Sequence, residues 1–130
     1  MSEQSYISFY LRSNVIRVFI SAIRRIGQPR FIRFMINTET MQLVMIPADR
    51  KDFQSFRVPN GVLNPGTKRQ KMAIHSQKFC KLLSNRLGWD ENYSYRVPGT
   101  VFAEQKIARY DLSKAAVIQT VNEASINEEE

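Results

Sequence analysis

The sequence predicts an α+β fold: a small mixed domain of two βαββ-like halves, mostly antiparallel sheet, with one well-formed helix at about 77–87 and one short helix at about 22–26. Three observations lead there. Apolar and polar residues alternate over several short runs, the period-2 mark of half-buried strands. One segment sets Phe79, Leu82, Leu83 and Leu87 at helical spacing. Glycine, proline and asparagine punctuate the intervals between these runs. A chain of 130 residues, 43% hydrophobic and 24% charged, suits one folded domain with its own core and is too short for two ordinary ones.

Tyr6 to Ile20 reads as two strands meeting at a Ser13-Asn14 turn. In the second, Ile16, Val18 and Ile20 point one way and Arg17 and Phe19 the other. Ser21 is placed to cap the short helix through Ile26, Gly27 to stop it and Pro29 to prevent its resumption. Phe31 to Asn37 alternates again, with Ile32, Phe34 and Ile36 on one face. The polar turn Asn37-Thr38-Glu39-Thr40 then leads into Met41 to Ile46, a hairpin that Pro47 ends. Ala48 to Asn60 is polar and turn-rich around the short apolar run Ser55 to Val58, an expected edge strand. Asn60-Gly61 and Asn64-Pro65-Gly66 are turn signals. A strand from Met72 to His75 leads to the helix that Ser76 caps and Gly88 closes. A strand from Tyr93 to Val97, a turn at Pro98-Gly99 and a strand from Lys106 to Leu112 complete the second half, and Asp111 or Ser113 caps a short turn through Val117.

The domain is therefore expected over residues 1–122. Its halves share the order strand, helix ending at glycine, strand, turn, strand at 15–47 and 71–112. Residues 48–70 form a linker, the expected mobile loop, and residues 123–130 a flexible acidic tail. Chance recurrence of common elements and true duplication both remain open readings of the shared order.

Charge carries the main functional signal. Residues 1–122 hold 19 basic and 8 acidic side chains, a net +11, whereas Glu123, Glu128, Glu129 and Glu130 crowd the end. A basic body favours polyanionic partners and raises their association rates. No apolar stretch approaches the roughly 20 residues of a membrane-spanning helix, and the first residues lack the pattern of a secretory signal. The lone cysteine, Cys80, cannot form an internal disulfide. A cytoplasmic protein without a membrane partner is expected.

The stretch Val15-Ile-Arg-Val-Phe-Ile-Ser-Ala-Ile-Arg-Arg-Ile-Gly-Gln-Pro, with the hairpin ending Leu43-Val-Met-Ile-Pro47, resembles the AbrB-like swapped-hairpin unit of bacterial transcriptional regulators. The resemblance covers mainly residues 15–47. It departs from the family where Ser21 stands near the usual proline before the helix and Gln28-Pro29-Arg30 replaces the usual acidic turn. Members of that family dimerise to complete a barrel and bind DNA through basic residues. The resemblance therefore implies DNA contacts from Arg17, Arg24 and Arg25, made by a homodimer or, if two halves pair within one chain, by a monomeric pseudo-dimer.

Catalytic and metal readings fail on inventory. One histidine, His75, and one cysteine, Cys80, lack a third orienting group and cannot make a closed zinc site. Asp49 with Asp52, and Asp90 with Glu91, offer carboxylates for magnesium in principle, but turn and capping roles suit both pairs better. No glycine-rich phosphate loop exists, and no cofactor is implied. The expected function is that of a non-catalytic DNA- or RNA-binding module, a bacterial or mobile-element regulatory protein. It would use Arg12, Arg17, Arg24, Arg25, Arg30 and Arg33, since the planar guanidinium suits phosphates and base edges. Arg17 and Arg33 are expected on one exposed sheet face beside Phe19, Phe31 and Met35, a platform for single-stranded bases. A second group comprises Lys68, Arg69, Lys71, Lys78 and Lys81, a phosphate clamp or a solvated surface. The rival reading is a protein adaptor or inhibitor that binds through a sheet edge or through Trp89, Tyr93, Tyr95 and Arg96, residue types that dominate interface hot spots.

Overall fold

Alternation along the first hairpin decides which side of the sheet becomes the core. Strand β1 (Ser2–Tyr10) turns Ile7 and Phe9 inward, and β2 (Val15–Phe19) does the same with Ile16 and Val18. All four are fully buried. The computed structural model describes residues 2–49 and 55–118. The turn between the two strands runs through Asn14, which takes the left-handed φ of 59° that asparagine tolerates better than most residues.

Helix α1 (Ile20–Arg25) follows β2 without a break. It begins at Ile20, one residue before the expected cap, and Ser21 lies inside it as an exposed residue while Phe19 takes the N-cap position with no side-chain bond. Burial of Ile20, Ala22 and Ile23 holds this six-residue helix, which is too short to stand on propensity. Gly27 ends it at φ 111°, as expected. The hairpin of β3 (Phe31–Asn37) and β4 (Gln42–Ala48) follows. Its turn is set by the Asn37 side chain, whose Oδ1 accepts from the Glu39 and Thr40 backbone N–H groups at 2.9 and 3.2 Å.

Part of the expected linker packs against the sheet, and its residues 50–54 lie outside the described residues. Strand β5 (Ser55–Arg57) pairs with β3 at the sheet edge, and Val58 and Val62 are both buried at 6% exposure. The acidic residues 123–130 lie outside the described residues. Strand β6 (Lys71–His75) leads through Ser76 into α2 (Gln77–Leu87). There the Ser76 hydroxyl accepts from the Phe79 N–H at 3.1 Å, and Gly88 closes the helix at φ 71°.

Contrary to the expected turn at Pro98-Gly99, β7 (Ser94–Phe102) runs straight through both residues, and the turn comes later, at residues 103–106. Proline and glycine there serve the sheet. On one side β7 pairs with β1 over all nine residues. On the other it pairs with β8 (Ile107–Asp111) from Gly99 onward and with β9 (Ala116–Ile118) up to Arg96, so Pro98 falls in the gap between two half-length neighbours. Gly99 is required because a Cβ on it would collide with the Tyr110 ring and lie 2.5 Å from the Arg109 carbonyl oxygen. A single 3₁₀ turn at Leu112–Lys114, capped by Asp111 as expected, joins β8 to β9, a strand that the sequence pattern had not revealed.

Every strand pair is antiparallel, and the order is β5-β3-β4-β8-β7-β1-β2-β6, with β9 beside β7. The sheet is strongly curled. Four strand spacings separate β3 from β1, ~19 Å in a flat sheet. Yet the Phe79 ring of α2 lies 5.5 Å from Phe34 on β3 and 6.4 Å from Phe9 on β1. Helix α2 fills the concave side and ties the two arms of the sheet through one aromatic cluster. No helix among the described residues is long and apolar enough to cross a membrane.

The order strand, helix, strand, strand expected at 15–47 and 71–112 is present as β2-α1-β3-β4 and β6-α2-β7-β8, and a further strand precedes each, so residues 2–48 and 55–111 both run strand, strand, helix, strand, strand. Strand β2 pairs with β6 and β4 with β8, while β1 pairs with β7 and β5 with β3. Exchanging the two runs therefore returns each of these pairings to itself or to another of them.

Candidate functional site

Because odd positions of β1 point inward, its even positions form the convex face, and the register carries that face across four strands. Ser8 stands opposite Arg17 of β2 and opposite Arg96 of β7, and Arg17 stands opposite Ala73 of β6. One row thus reads Ala73, Arg17, Ser8, Arg96. The neighbouring row holds Lys71 opposite Phe19 and Tyr6 opposite Pro98, with the Tyr6 and Phe19 rings 6.4 Å apart. On the other side lie His75, Val15, Tyr10 and Ser94. The outward positions of these four strands carry no aspartate or glutamate among the described residues.

Each cation on this face is paired with a ring. The Arg17 guanidinium lies 5.0 Å from the Tyr10 centroid, the Arg96 guanidinium 5.6 Å from Tyr6 and the Lys71 ammonium 5.4 Å from Phe19. These are cation–π distances, and they hold flexible side chains in place over a rigid sheet. Tyr6 is 47% exposed, Arg96 is exposed, and Arg17, Lys71, Phe19 and Tyr10 are half-buried. Burial, and then the charges of Arg96 and Arg17, hold the Lys71 ammonium below its ordinary pKa range. Three cations concentrated where the outward positions of β6, β2, β1 and β7 hold no carboxylate among the described residues make a ready site for an anion.

The remaining arginines are dispersed. Arg17 and Arg33 do not share a platform, since β4, β8, β7 and β1 lie between their strands. Arg33 is half-buried on β3 beside a cleft of about 560 Å³ floored by Phe34, Phe56, Phe79 and Leu82. Met35 is exposed and Phe31 half-buried on that same distant strand. Arg24 donates to the Leu63 and Asn64 carbonyls at 3.4 and 3.0 Å, tying α1 to the 60–67 loop, and Arg25 forms an ion pair with Glu3. Both are therefore engaged by groups of this chain away from the Arg17–Arg96 row. Arg12 is exposed in the β1–β2 turn, Arg30 before β3, and Lys68 and Arg69 ahead of β6, where the Arg69 N–H donates to the Thr67 hydroxyl at 3.3 Å. Lys78 and Lys81 are exposed on α2.

The aromatic group after α2 divides in two. Trp89 stacks on Tyr95 at 4.3 Å and 17°, lies 5.8 Å from Phe9, and is half-buried. The Tyr95 hydroxyl accepts from the Asp90 N–H at 2.9 Å. These two rings close the end of the core. Tyr93 stays exposed, and Arg96 belongs to the convex face.

His75 points outward from the end of β6 while Cys80 is buried against the core from α2, its thiol pushed up to about 11 by burial. Asp90 Oδ1 accepts from the Asn92 N–H, a turn role, and Asp52 lies outside the described residues. Among the described residues no three histidine, cysteine or acidic side chains converge as a metal site would require.

Reasoning from sequence missed Tyr6 and Tyr10. Their signal was the alternation Tyr6-Ser8-Tyr10 on a strand whose other face is Ile7-Phe9. No family model, curated protein or solved structure matches this chain.

Proposed function

We propose that the chain is a non-catalytic nucleic-acid-binding module whose binding face is the convex side of β6-β2-β1-β7. The observation that carries this reading is the placement of Arg17, Lys71 and Arg96 around Ser8 and among the rings of Tyr6, Tyr10 and Phe19, with no carboxylate at the outward positions of these four strands among the described residues. Phosphates meet clustered cations there, and the exposed Tyr6 ring and the half-buried Tyr10 and Phe19 rings offer stacking surfaces to bases, the two contributions that sequence-tolerant binding combines. The basic surplus of the body supports the same partner class.

The exchange of pairings between residues 2–48 and 55–111 supports descent from a duplicated unit and, with it, the swapped-hairpin resemblance of residues 15–47. In this reading the binding face is composite. Strands β1 and β2 come from one half and β6 and β7 from the other, so a single chain supplies what the family builds from two.

The test is fluorescence anisotropy of a labelled single-stranded oligonucleotide at low and at physiological salt. Binding should weaken with salt with a logarithmic slope of about −2, the value for three phosphate contacts on a single strand. Absence of binding at low salt, or binding indifferent to salt, would overturn the proposal.

A further inference from the structure

We infer that the nucleic acid is a single strand lying lengthwise along β1 and β7, and that its far end is held by Phe102 and Arg109. This rests on the nucleic-acid reading above and goes beyond it by naming the form, the path and a second anchor.

The path follows from the order of outward rows. Strands β1 and β7 have nine residues each and stay in register throughout, with Ser2 opposite Phe102 at one end and Tyr10 opposite Ser94 at the other. That track is ~27 Å long, and its rows are ~6.6 Å apart. In sequence the rows present Tyr10, then Arg17 and Arg96, then Tyr6 and Phe19 with Lys71, then Arg109 opposite Thr100, then Phe102. Rings alternate with cations along the track, as bases alternate with phosphates along a strand. The Arg109 guanidinium lies 5.0 Å from the Phe102 centroid, repeating at the far end the pairing of Arg17 with Tyr10. The crosswise row through Ser8 lacks this alternation, running from Ala73 to Ala116 with two arginines and no ring, and the next row has Lys71 at one end with two adjacent rings.

A base must leave its helical stack before its face can reach a tyrosine or phenylalanine, so the track selects single strands over duplexes. Its length suits the shortest class of single-strand sites, about four nucleotides or somewhat more.

The experiment measures binding of oligothymidylates of increasing length to the wild type, Arg17→Ala, Arg109→Ala and Phe102→Ala, with Trp89 fluorescence reporting that each variant is folded. Affinity should climb with length and level off once the strand spans the track. Phe102→Ala should cost about tenfold with long oligonucleotides and nothing with dinucleotides. Arg109→Ala should behave likewise, lowering the salt slope by about one. A duplex of the same length should compete at least tenfold less well. If Arg17→Ala weakens binding while Arg109→Ala and Phe102→Ala leave long oligonucleotides unaffected, or if the duplex competes equally, the lengthwise single-strand path is wrong and the face remains. If no oligothymidylate binds the wild type at low salt, both inferences fall.

Discussion

Arg17 and Arg96, far apart in sequence, are separated on the sheet by a single residue, Ser8, the cross-strand partner of both. Two like charges on a face whose outward positions hold no carboxylate among the described residues repel each other and gain from an anion between them. Replacing either by alanine should weaken binding of a single-stranded oligonucleotide by about three- to tenfold and lower the salt slope by about one. The same change at Arg24 or Arg25, which bond to the 63–64 carbonyls and to Glu3, should leave the slope unchanged. Anisotropy titrations at several salt concentrations check both expectations.

Lys71 feels that repulsion directly. Burial and the charges of Arg96 and Arg17 lower its pKa, so at mildly alkaline pH more of its amine is neutral than an ordinary lysine's. It should react with limiting acetic anhydride faster than Lys78 or Lys81, which are exposed on α2. Arg96→Ala should slow the reaction by raising the pKa, and bound oligonucleotide should slow it further. Mass spectrometry of the acetylated peptides measures all three.

Stability should fall in alkali from about pH 9. Burial raises the Cys80 thiol from 9.0 to about 11, and raises the Tyr110 phenol well above its ordinary 10.0. For both groups the unfolded chain loses its proton first, so their stabilising contribution is intact below pH 9 and is lost as pH rises through the folded values. For Cys80 the loss is about 2–3 kcal/mol between pH 9 and 11. Urea unfolding at stepped pH, followed by the fluorescence of Trp89, reads it. Cys80→Ala should flatten the first part of the decline.

Gly99 should not accept a side chain. A Cβ there meets the Tyr110 ring, the Arg109 carbonyl oxygen at 2.5 Å and the Tyr110 Cα at 2.9 Å, all parts of a paired strand with little freedom to shift. Gly99→Ala should destabilise the fold by about 3 kcal/mol, the upper end of the usual cost of overpacking. Chemical denaturation measures it.

Most of the local structure was legible because it depends on neighbours in sequence. Ile16 and Val18 alternate with Arg17, Ser76 caps α2, and Asn37 turns the β3–β4 hairpin. Pro98-Gly99 misled because the usual meaning of that dipeptide is a turn, whereas here proline fills a gap between half-strands and glycine makes room for a ring. Strand β9 was invisible because Ala116–Ile118 is three residues long and is fixed by pairing with β7 alone. The candidate site was half legible. Arg17 stood out by its place on β2, but its true companions are set by strand order, a long-range property. Sequence proximity pointed instead to Arg33, which lies on the other arm of the sheet.

The most direct test of the binding face is ultraviolet cross-linking of a bound single-stranded oligonucleotide, followed by mapping of the modified peptides. Cross-links are expected at Tyr6, Tyr10 and Phe19, the rings that share a face with Arg17, Lys71 and Arg96. Cross-links confined to the 60–70 loop or to the Phe34–Phe56–Phe79 cleft would contradict the account.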